Sequence, residues 1–204
     1  MFKYFYLFLI LFALPVNAHS FTGMIGFYDG LSHPVLGLDH FLAMVSVGII
    51  SAQIGGRSIW TIPSTFVLLM LIGGVLGMIV EINTIDIENI FSTNIPIVVE
   101  LGIIFSVILL GLAIAIHKKF SVNLIMVFVS LFGLCHGLAH GMEIPWAANP
   151  ILFALGFSFG TATLHLFGVG IGVIAIKSNF SNFLLKLTGI GFAIYGAYLL
   201  IPLN

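Results

Sequence analysis

Two short segments of the chain bring histidine and acidic side chains together at spacings that suit metal or proton chemistry. Residues 33–40 read HPVLGLDH, and residues 136–143 read HGLAHGME. Imidazole and carboxylate groups are borderline and hard donors, which suit a divalent first-row ion such as Ni²⁺, Co²⁺ or Zn²⁺. Both segments are therefore candidate parts of a metal site.

The second segment predicts a column of ligands on one helix face. His136, His140 and Glu143 stand at positions i, i+4 and i+7. On an α-helix these three side chains project from the same side. The spacing therefore favours chelation of a single ion along that face.

The first segment repeats the seven-residue separation at His33 and His40. Pro34 suits the first position of a helix, because its missing N–H costs nothing there. Asp39 would lie beside the line joining the two histidines, where it could ligate an ion from the side or orient an imidazole.

The elements that must position these residues follow from the composition. The chain has 204 residues, of which 60% are hydrophobic and 6% charged, whereas a soluble domain carries roughly 25% charged residues. This composition indicates a membrane protein and excludes a disordered chain. Six Lys and Arg against seven Asp and Glu argue against nucleic-acid binding. With Cys135 as its single cysteine, the chain forms no internal disulfide and no thiolate cluster.

The amino-terminal residues 1–18 have the features of a secretory signal peptide. Lys3 supplies a positive charge, a short apolar run follows, and residues 16–18 form a small-residue cleavage sequence. Cleavage would leave His19 first, where its amine and ring nitrogen could chelate one ion together and cap the outer site. The alternative is an uncleaved membrane helix, although the apolar run is short for a span of roughly 20 residues.

Beyond the signal, six continuous apolar stretches are long enough to cross a bilayer as helices. They show no strand-like alternation and leave almost nothing for a soluble domain. The sequence thus predicts an all-α membrane protein, a six-helix transmembrane bundle that forms one domain over residues 19–204. The predicted spans are 34–54, 59–80, 95–116, 121–141, 150–176 and 182–201.

Charges between the spans predict an orientation. With the mature amino end outside, all basic residues after the signal fall on the cytoplasmic half, as the positive-inside rule demands. The outer loops instead hold Asp86 and Glu88. We therefore expect a multi-pass protein of the bacterial cytoplasmic membrane with a periplasmic amino end. The inner basic residues are Arg57, Lys118, Lys119, Lys177 and Lys186.

This orientation puts the two histidine segments at a similar depth. His40 and His136 would lie roughly 8–10 Å below the outer surface at about 1.5 Å per residue, and Glu100 would enter the same layer from the third span. His165 lies deeper, where it is either a second station for an ion or a hydrogen-bonded contact between helices. The candidate metal ligands are His19, His33, Asp39, His40, Glu100, His136, His140, Glu143 and His165.

Glycines that recur every fourth residue predict where the helices approach closely. Gly133, Gly137 and Gly141 form the longest stripe, and helix packing is the interpretation for most such pairs. The same spacing recurs at Gly73 and Gly77, at Gly156 and Gly160, and at Gly168 and Gly172.

The two motifs, with the sequence FLAMVSVG that follows the first, resemble those of the HupE/UreJ family of bacterial hydrogenase and urease accessory membrane proteins. The resemblance extends over the whole chain in layout. It implies a nickel or cobalt permease without an ATPase of its own, without an organic cofactor, and with an indirect link to hydrogenase or urease maturation. Cys135 departs from the family pattern, in which we expect phenylalanine at this position. The functional positions that the resemblance implies are His33, Asp39, His40, His136, His140 and Glu143.

Together these observations predict a secondary transporter, not an enzyme, that imports Ni²⁺ or Co²⁺, with Zn²⁺ as a further candidate. Uptake should fall as the pH drops toward about 6, because protonated imidazole cannot bind a metal. Two alternatives use the same histidines: a b-type haem electron carrier, and a membrane metalloenzyme with Glu143 as base.

Overall fold

The described part of the chain is entirely helical. The computed structural model describes residues 26–84, 91–116, 120–144 and 149–201, and these contain seven α-helices and no strand. The predicted signal peptide and His19 lie outside the described residues. The helices are α1 (Phe27–Leu36), α2 (Leu38–Ile54), α3 (Ser58–Thr84), α4 (Phe91–Ile116), α5 (Val122–Met142), α6 (Pro150–Ala175) and α7 (Asn179–Leu199).

Four of these helices, α3 to α6, are long and apolar enough to cross a membrane. The number rises to five if α1 and α2, which are joined by a sharp bend, count as one span. The prediction of an all-α, multi-pass membrane protein is therefore confirmed. A sixth span, predicted over 182–201, corresponds to α7 and stays a prediction.

The first predicted span, 34–54, is wrong in its detail. Pro34 does not begin a helix but lies buried inside α1, and the chain bends by 83° between α1 and α2. The break is at Gly37, which has an extended conformation (φ −79°, ψ 113°) and whose N–H donates to the His33 carbonyl oxygen. Glycine favours a helix end at this position because it is a poor helix former. His33 and His40 therefore lie on two helices rather than on one face.

The amino-terminal ends of α5 and α6 have ordinary helix caps. Asn149 accepts hydrogen bonds from the backbone N–H groups of Ile151 and Leu152, and Pro150 occupies the first position of α6, as predicted. At the start of α5, the Ser121 side chain accepts from the N–H of Leu124. These caps fix where the helices that carry the second motif and His165 begin.

The predicted glycine stripe on α5 packs directly on α3. A Cβ atom built on Gly137 would overlap the carbonyl oxygen of Met70, and one on Gly141 would overlap the carbonyl oxygen of Gly74. The helix backbones are thus in contact, as small residues allow. This contact holds the histidine-bearing face of α5 at a fixed distance from α3.

A second set of glycines holds α6 against both halves of the bent pair. A Cβ on Gly156 would overlap the Phe27 carbonyl oxygen of α1, and one on Gly168 would overlap the Val45 carbonyl oxygen of α2. Residues 42–52 of α2 are all buried, so α2 runs through the centre of the bundle. The prediction that these glycine pairs serve helix packing is confirmed. As a result, His33, His40 and the second motif converge.

Candidate metal site

Four imidazole rings from three helices form a continuous cluster. The ring centroids of His33 and His140 are 4.5 Å apart, those of His140 and His40 are 4.6 Å apart, and those of His40 and His136 are 5.1 Å apart. We call these four residues the histidine cluster. These distances place the four rings in contact, and among the described residues the ligand atoms that all lie within 4.8 Å of one another belong to His33, His140 and Glu143.

His40 is oriented by the residue that precedes it. Its Nδ1 atom lies 2.8 Å from Oδ1 of Asp39, and its backbone N–H donates to the same oxygen at 2.9 Å. Since the carboxylate accepts, Nδ1 carries the hydrogen and Nε2 of the neutral ring carries the lone pair. Of the two roles considered for Asp39, this geometry favours orientation of an imidazole.

His136 is oriented in the same sense by the backbone of its own helix. Its Nδ1 atom donates to the carbonyl oxygen of Phe132 at 2.8 Å, which again leaves the lone pair on Nε2. The Nε2 atoms of His40 and His136 are buried and have no hydrogen-bond partner among the described residues. A buried polar atom without a partner is costly, and a bound cation would satisfy it.

The outer edge of the cluster adds a carboxylate. His33, His140 and Glu143 each offer one ligand atom, and these atoms lie within 4.8 Å of one another. Nδ1 of His140 is 3.8 Å from Oε2 of Glu143, which is too long for a hydrogen bond. His140 is buried, whereas 65% of the Glu143 side chain is exposed. Glu143 therefore lies at the entrance to the cluster.

Glu143 has a raised pKa although its side chain is largely exposed. Partial desolvation is the largest cause; His40 opposes it, and the carboxylates of Glu100 and Asp39 raise the pKa further. The direction fits a carboxylate held near other acids at the mouth of an apolar pocket.

Two other predicted ligands among the described residues, Glu100 and His165, lie apart from this group. Glu100 is exposed on α4 and interacts with Glu143 only through its charge. His165 is fully buried on α6, beyond the ring of Phe66. His19 lies outside the described residues. For all three, metal ligation stays a prediction.

Two phenylalanines that the sequence analysis did not single out contact the histidines. Phe157 of α6 has its ring centroid 4.4 Å from that of His140, and Phe66 of α3 has its centroid 5.3 Å from that of His136. Phe157 carries no signal in the sequence that distinguishes it from the other phenylalanines of this apolar chain. Phe66 likewise carries no such signal in a helix that is apolar throughout.

Cys135 packs away from the cluster although it precedes His136 in sequence. A Cβ atom built on Gly102 of α4 would lie 2.6 Å from the Cys135 Sγ atom, so the thiol faces α4. The cysteine is half-buried and free. This contact agrees with the interpretation of Cys135 as a small apolar packing residue.

Most of the chain is similar in sequence to known proteins. The family described as HupE / UreJ protein matches residues 7–199. Protein HupE of Rhizobium leguminosarum bv. viciae is 36% identical over 191 residues, which cover 93% of each chain. No solved structure matches the chain.

Proposed function

The chain belongs to the HupE/UreJ family, and from this membership we propose that it is a permease that imports Ni²⁺ or Co²⁺ across the cytoplasmic membrane. The ion is the substrate and binds at the histidine cluster with Glu143 at its entrance. Asp39 supports the site by orienting His40. The proposal assigns no catalytic step to these residues.

One observation carries this proposal. The Nδ1 atoms of His40 and His136 are both engaged by oxygen acceptors, while their Nε2 lone pairs are buried without a described partner. This is the arrangement in which histidine binds metals, because the second-shell hydrogen bond fixes the tautomer and the ring orientation. A purely structural pair of histidines would use these nitrogen atoms in hydrogen bonds between helices.

The proposed topology has a cleaved signal peptide, a periplasmic mature amino end and six spans, with α7 as the sixth. Under it, the histidine cluster lies near the periplasmic side, and His19 is able to reach the cluster from outside. The inner ends of the helices then carry the basic residues, including Arg57 and Lys177, in accord with the positive-inside rule.

The proposed driving force needs no nucleotide. Two positive charges that move inward gain about 4.6 kcal/mol per 100 mV of membrane potential. Selectivity has to come from ligand type and geometry, since affinity alone follows the Irving–Williams order and would favour Cu²⁺. Binding has to stay moderate so that the ion can leave toward the cytoplasm.

Uptake of radioactive nickel and cobalt into proteoliposomes tests the function. The intact chain should accumulate one or both ions, and the His40→Ala and His136→Ala variants should lose most of this uptake. His117→Ala serves as a control, because His117 stands beside Lys118 and Lys119, outside both motifs. Normal uptake by both cluster variants would refute the proposed site.

The geometry gives less support to a b-type haem carrier. A haem with two histidine ligands needs one ring on each face of the porphyrin, whereas the clustered imidazoles pack edge to face against one another. A Soret band in the purified protein would restore this alternative. A metalloenzyme would instead form a product, and Glu143→Gln would abolish its formation while metal stayed bound.

A further inference from the structure

The ring of Phe66 lies between two buried histidines that belong to different helices. Its centroid is 5.3 Å from that of His136 on α5 and 5.2 Å from that of His165 on α6. Phe66 and both histidines are no more than 1% exposed. The phenyl group therefore contacts both His136, which belongs to the histidine cluster, and His165.

Two cavities lie along successive parts of α3, and Leu71 lines both of them. The first, of about 130 Å³, is lined by the later part of α3, including Gly74 and Met78, and by His140. The second, of about 430 Å³, is lined by the early part of α3, including Trp60 and Ser64, and by His165. Each cavity thus reaches a buried histidine, His140 in the first and His165 in the second, whereas Phe66 lines neither cavity.

His165 has unused binding capacity at the end of the second cavity. It is 1% exposed, and neither ring nitrogen has a hydrogen-bond partner among the described residues. An imidazole left in this state is costly in an apolar interior. A polar occupant that entered the second cavity, such as a hydrated cation, would satisfy it.

The layer around Phe66 is closed by its neighbours one helical turn away. Met70 follows Phe66 on α3, and its Sδ atom accepts a hydrogen bond of 3.7 Å from Oγ1 of Thr161 on α6. Thr161 precedes His165 by one turn and is fully buried. Contacts between α3 and α6 therefore interrupt the route between the two cavities.

We propose that Phe66 is the barrier of the permeation path, and that an ion passes from the histidine cluster to His165 only when this ring moves aside. The inference rests on the proposed transport function. It adds Phe66, a residue of the second predicted span, to the residues of the proposed path. The barrier is apolar, so it blocks a hydrated ion without binding it.

A volume series at position 66 tests the barrier. Nickel uptake into proteoliposomes, measured at equal reconstituted amounts, should rise severalfold in Phe66→Ala, rise less in Phe66→Leu, and fall in Phe66→Trp. Equilibrium nickel binding to the detergent-solubilised variants should stay unchanged, because the cluster ligands remain. If Phe66→Ala does not fold, the leucine and tryptophan variants still give the order.

Ile62→Ala is the matched control, because Ile62 is fully buried one turn earlier on α3 and has no aromatic ring. Its uptake should equal that of the intact protein. An increase in nickel uptake by Ile62→Ala equal to that of Phe66→Ala would mean general loosening of the core. Uptake rates that do not depend on the side-chain volume at position 66, or that follow the reverse order, would also overturn the barrier.

The outcome for the barrier can be separated from that for transport itself. If the intact chain takes up no metal, the proposed function fails. The barrier alone fails if three results occur together: the intact chain takes up metal, His40→Ala abolishes this uptake, and the variants at position 66 all have the same uptake rate.

Water access to the second cavity gives an independent test. In a Cys135→Ser background, Ser64→Cys should react with a charged thiol reagent applied from the cytoplasmic side in inside-out vesicles. Ser64 lines the cavity that ends at His165. The proposal would be overturned if the cysteine of Ser64→Cys did not react in the vesicles but did react in the denatured protein. This result would show that lipid fills the cavity.

Discussion

The Nδ1 atom of His40 lies 2.8 Å from Oδ1 of Asp39, its immediate neighbour in sequence. The same oxygen accepts the backbone N–H of His40, so two hydrogen bonds hold the imidazole at the first turn of α2. The break at Gly37 makes this possible, because it places Asp39 at a helix amino end, where a carboxylate is favoured by the helix dipole. Asp39 thereby turns Nε2 of His40 toward the other imidazoles.

Asp39→Asn should weaken nickel binding about 10-fold to 100-fold, because a neutral amide no longer fixes the donor tautomer of His40. Isothermal titration calorimetry of the purified protein measures this change. Asp29→Asn is the matched control: Asp29 accepts a hydrogen bond from the backbone N–H of Gly26 at the start of α1 and lies outside the cluster. Equal affinity of Asp39→Asn and the intact protein would contradict the orienting role.

His140→Ala and His165→Ala should separate binding from passage. His140 contacts both His33 and His40, so its loss should remove most nickel binding and uptake. Loss of His165 should slow uptake while binding at the cluster persists, because the ring of His165 packs on Phe66 and its ligand atoms do not join those of His33, His140 and Glu143. Binding and initial uptake rates measured on the same preparations check this. Loss of binding in His165→Ala would place that residue in the primary site instead.

Glu143→Gln should weaken nickel binding and flatten its pH dependence. The pKa of Glu143 is raised by partial desolvation, so the carboxylate ligand is lost to protonation at a higher pH than for an ordinary glutamate. Nickel binding by the intact protein should therefore weaken as the pH falls. The glutamine variant should lack the share of this pH dependence that comes from the Glu143 carboxylate. Binding curves at several pH values test the sign.

Glu100→Gln is the control for this series. Glu100 is exposed, and its ligand atom does not join those of His33, His140 and Glu143, so its loss should reduce affinity less than loss of Glu143 does. A larger effect at Glu100 than at Glu143 would reverse their assigned roles.

Gly137→Ala should destabilise the protein by roughly 1–3 kcal/mol, because the new methyl group would overlap the carbonyl oxygen of Met70. Thermal unfolding of the detergent-solubilised protein measures the loss. Gly170→Ala is the control, since a Cβ atom at Gly170 has no neighbour within 4 Å. Its melting temperature should not fall. Equal melting temperatures for both variants would argue against the close contact of α3 and α5.

The sequence predicted the second motif better than the first. His136 and His140 project from one face because the helix containing them is regular, so spacing alone was sufficient. The first motif is split by the bend at Gly37, which spacing cannot reveal, since glycine is common in membrane helices that continue straight through it. The convergence of the two motifs was predicted from their depth, and it was confirmed.

Contacts made by apolar side chains were not predictable. Histidines and carboxylates stand out in an apolar chain, because keeping them there is costly. Phe66 does not stand out among 20 phenylalanines, and its place between His136 and His165 depends on how α3, α5 and α6 pack. The glycine spacing showed where helices approach closely, but not which helix each stripe meets.

The central claim is that histidines from α1, α2 and α5 share one ion. X-ray absorption spectroscopy of the nickel-loaded protein tests it most directly, because imidazole ligands give characteristic outer-shell scattering. We predict one nickel ion per chain, with an imidazole contribution that decreases in both His40→Ala and His136→Ala. An ion that is bound without imidazole scattering, or scattering that neither substitution changes, would contradict the account.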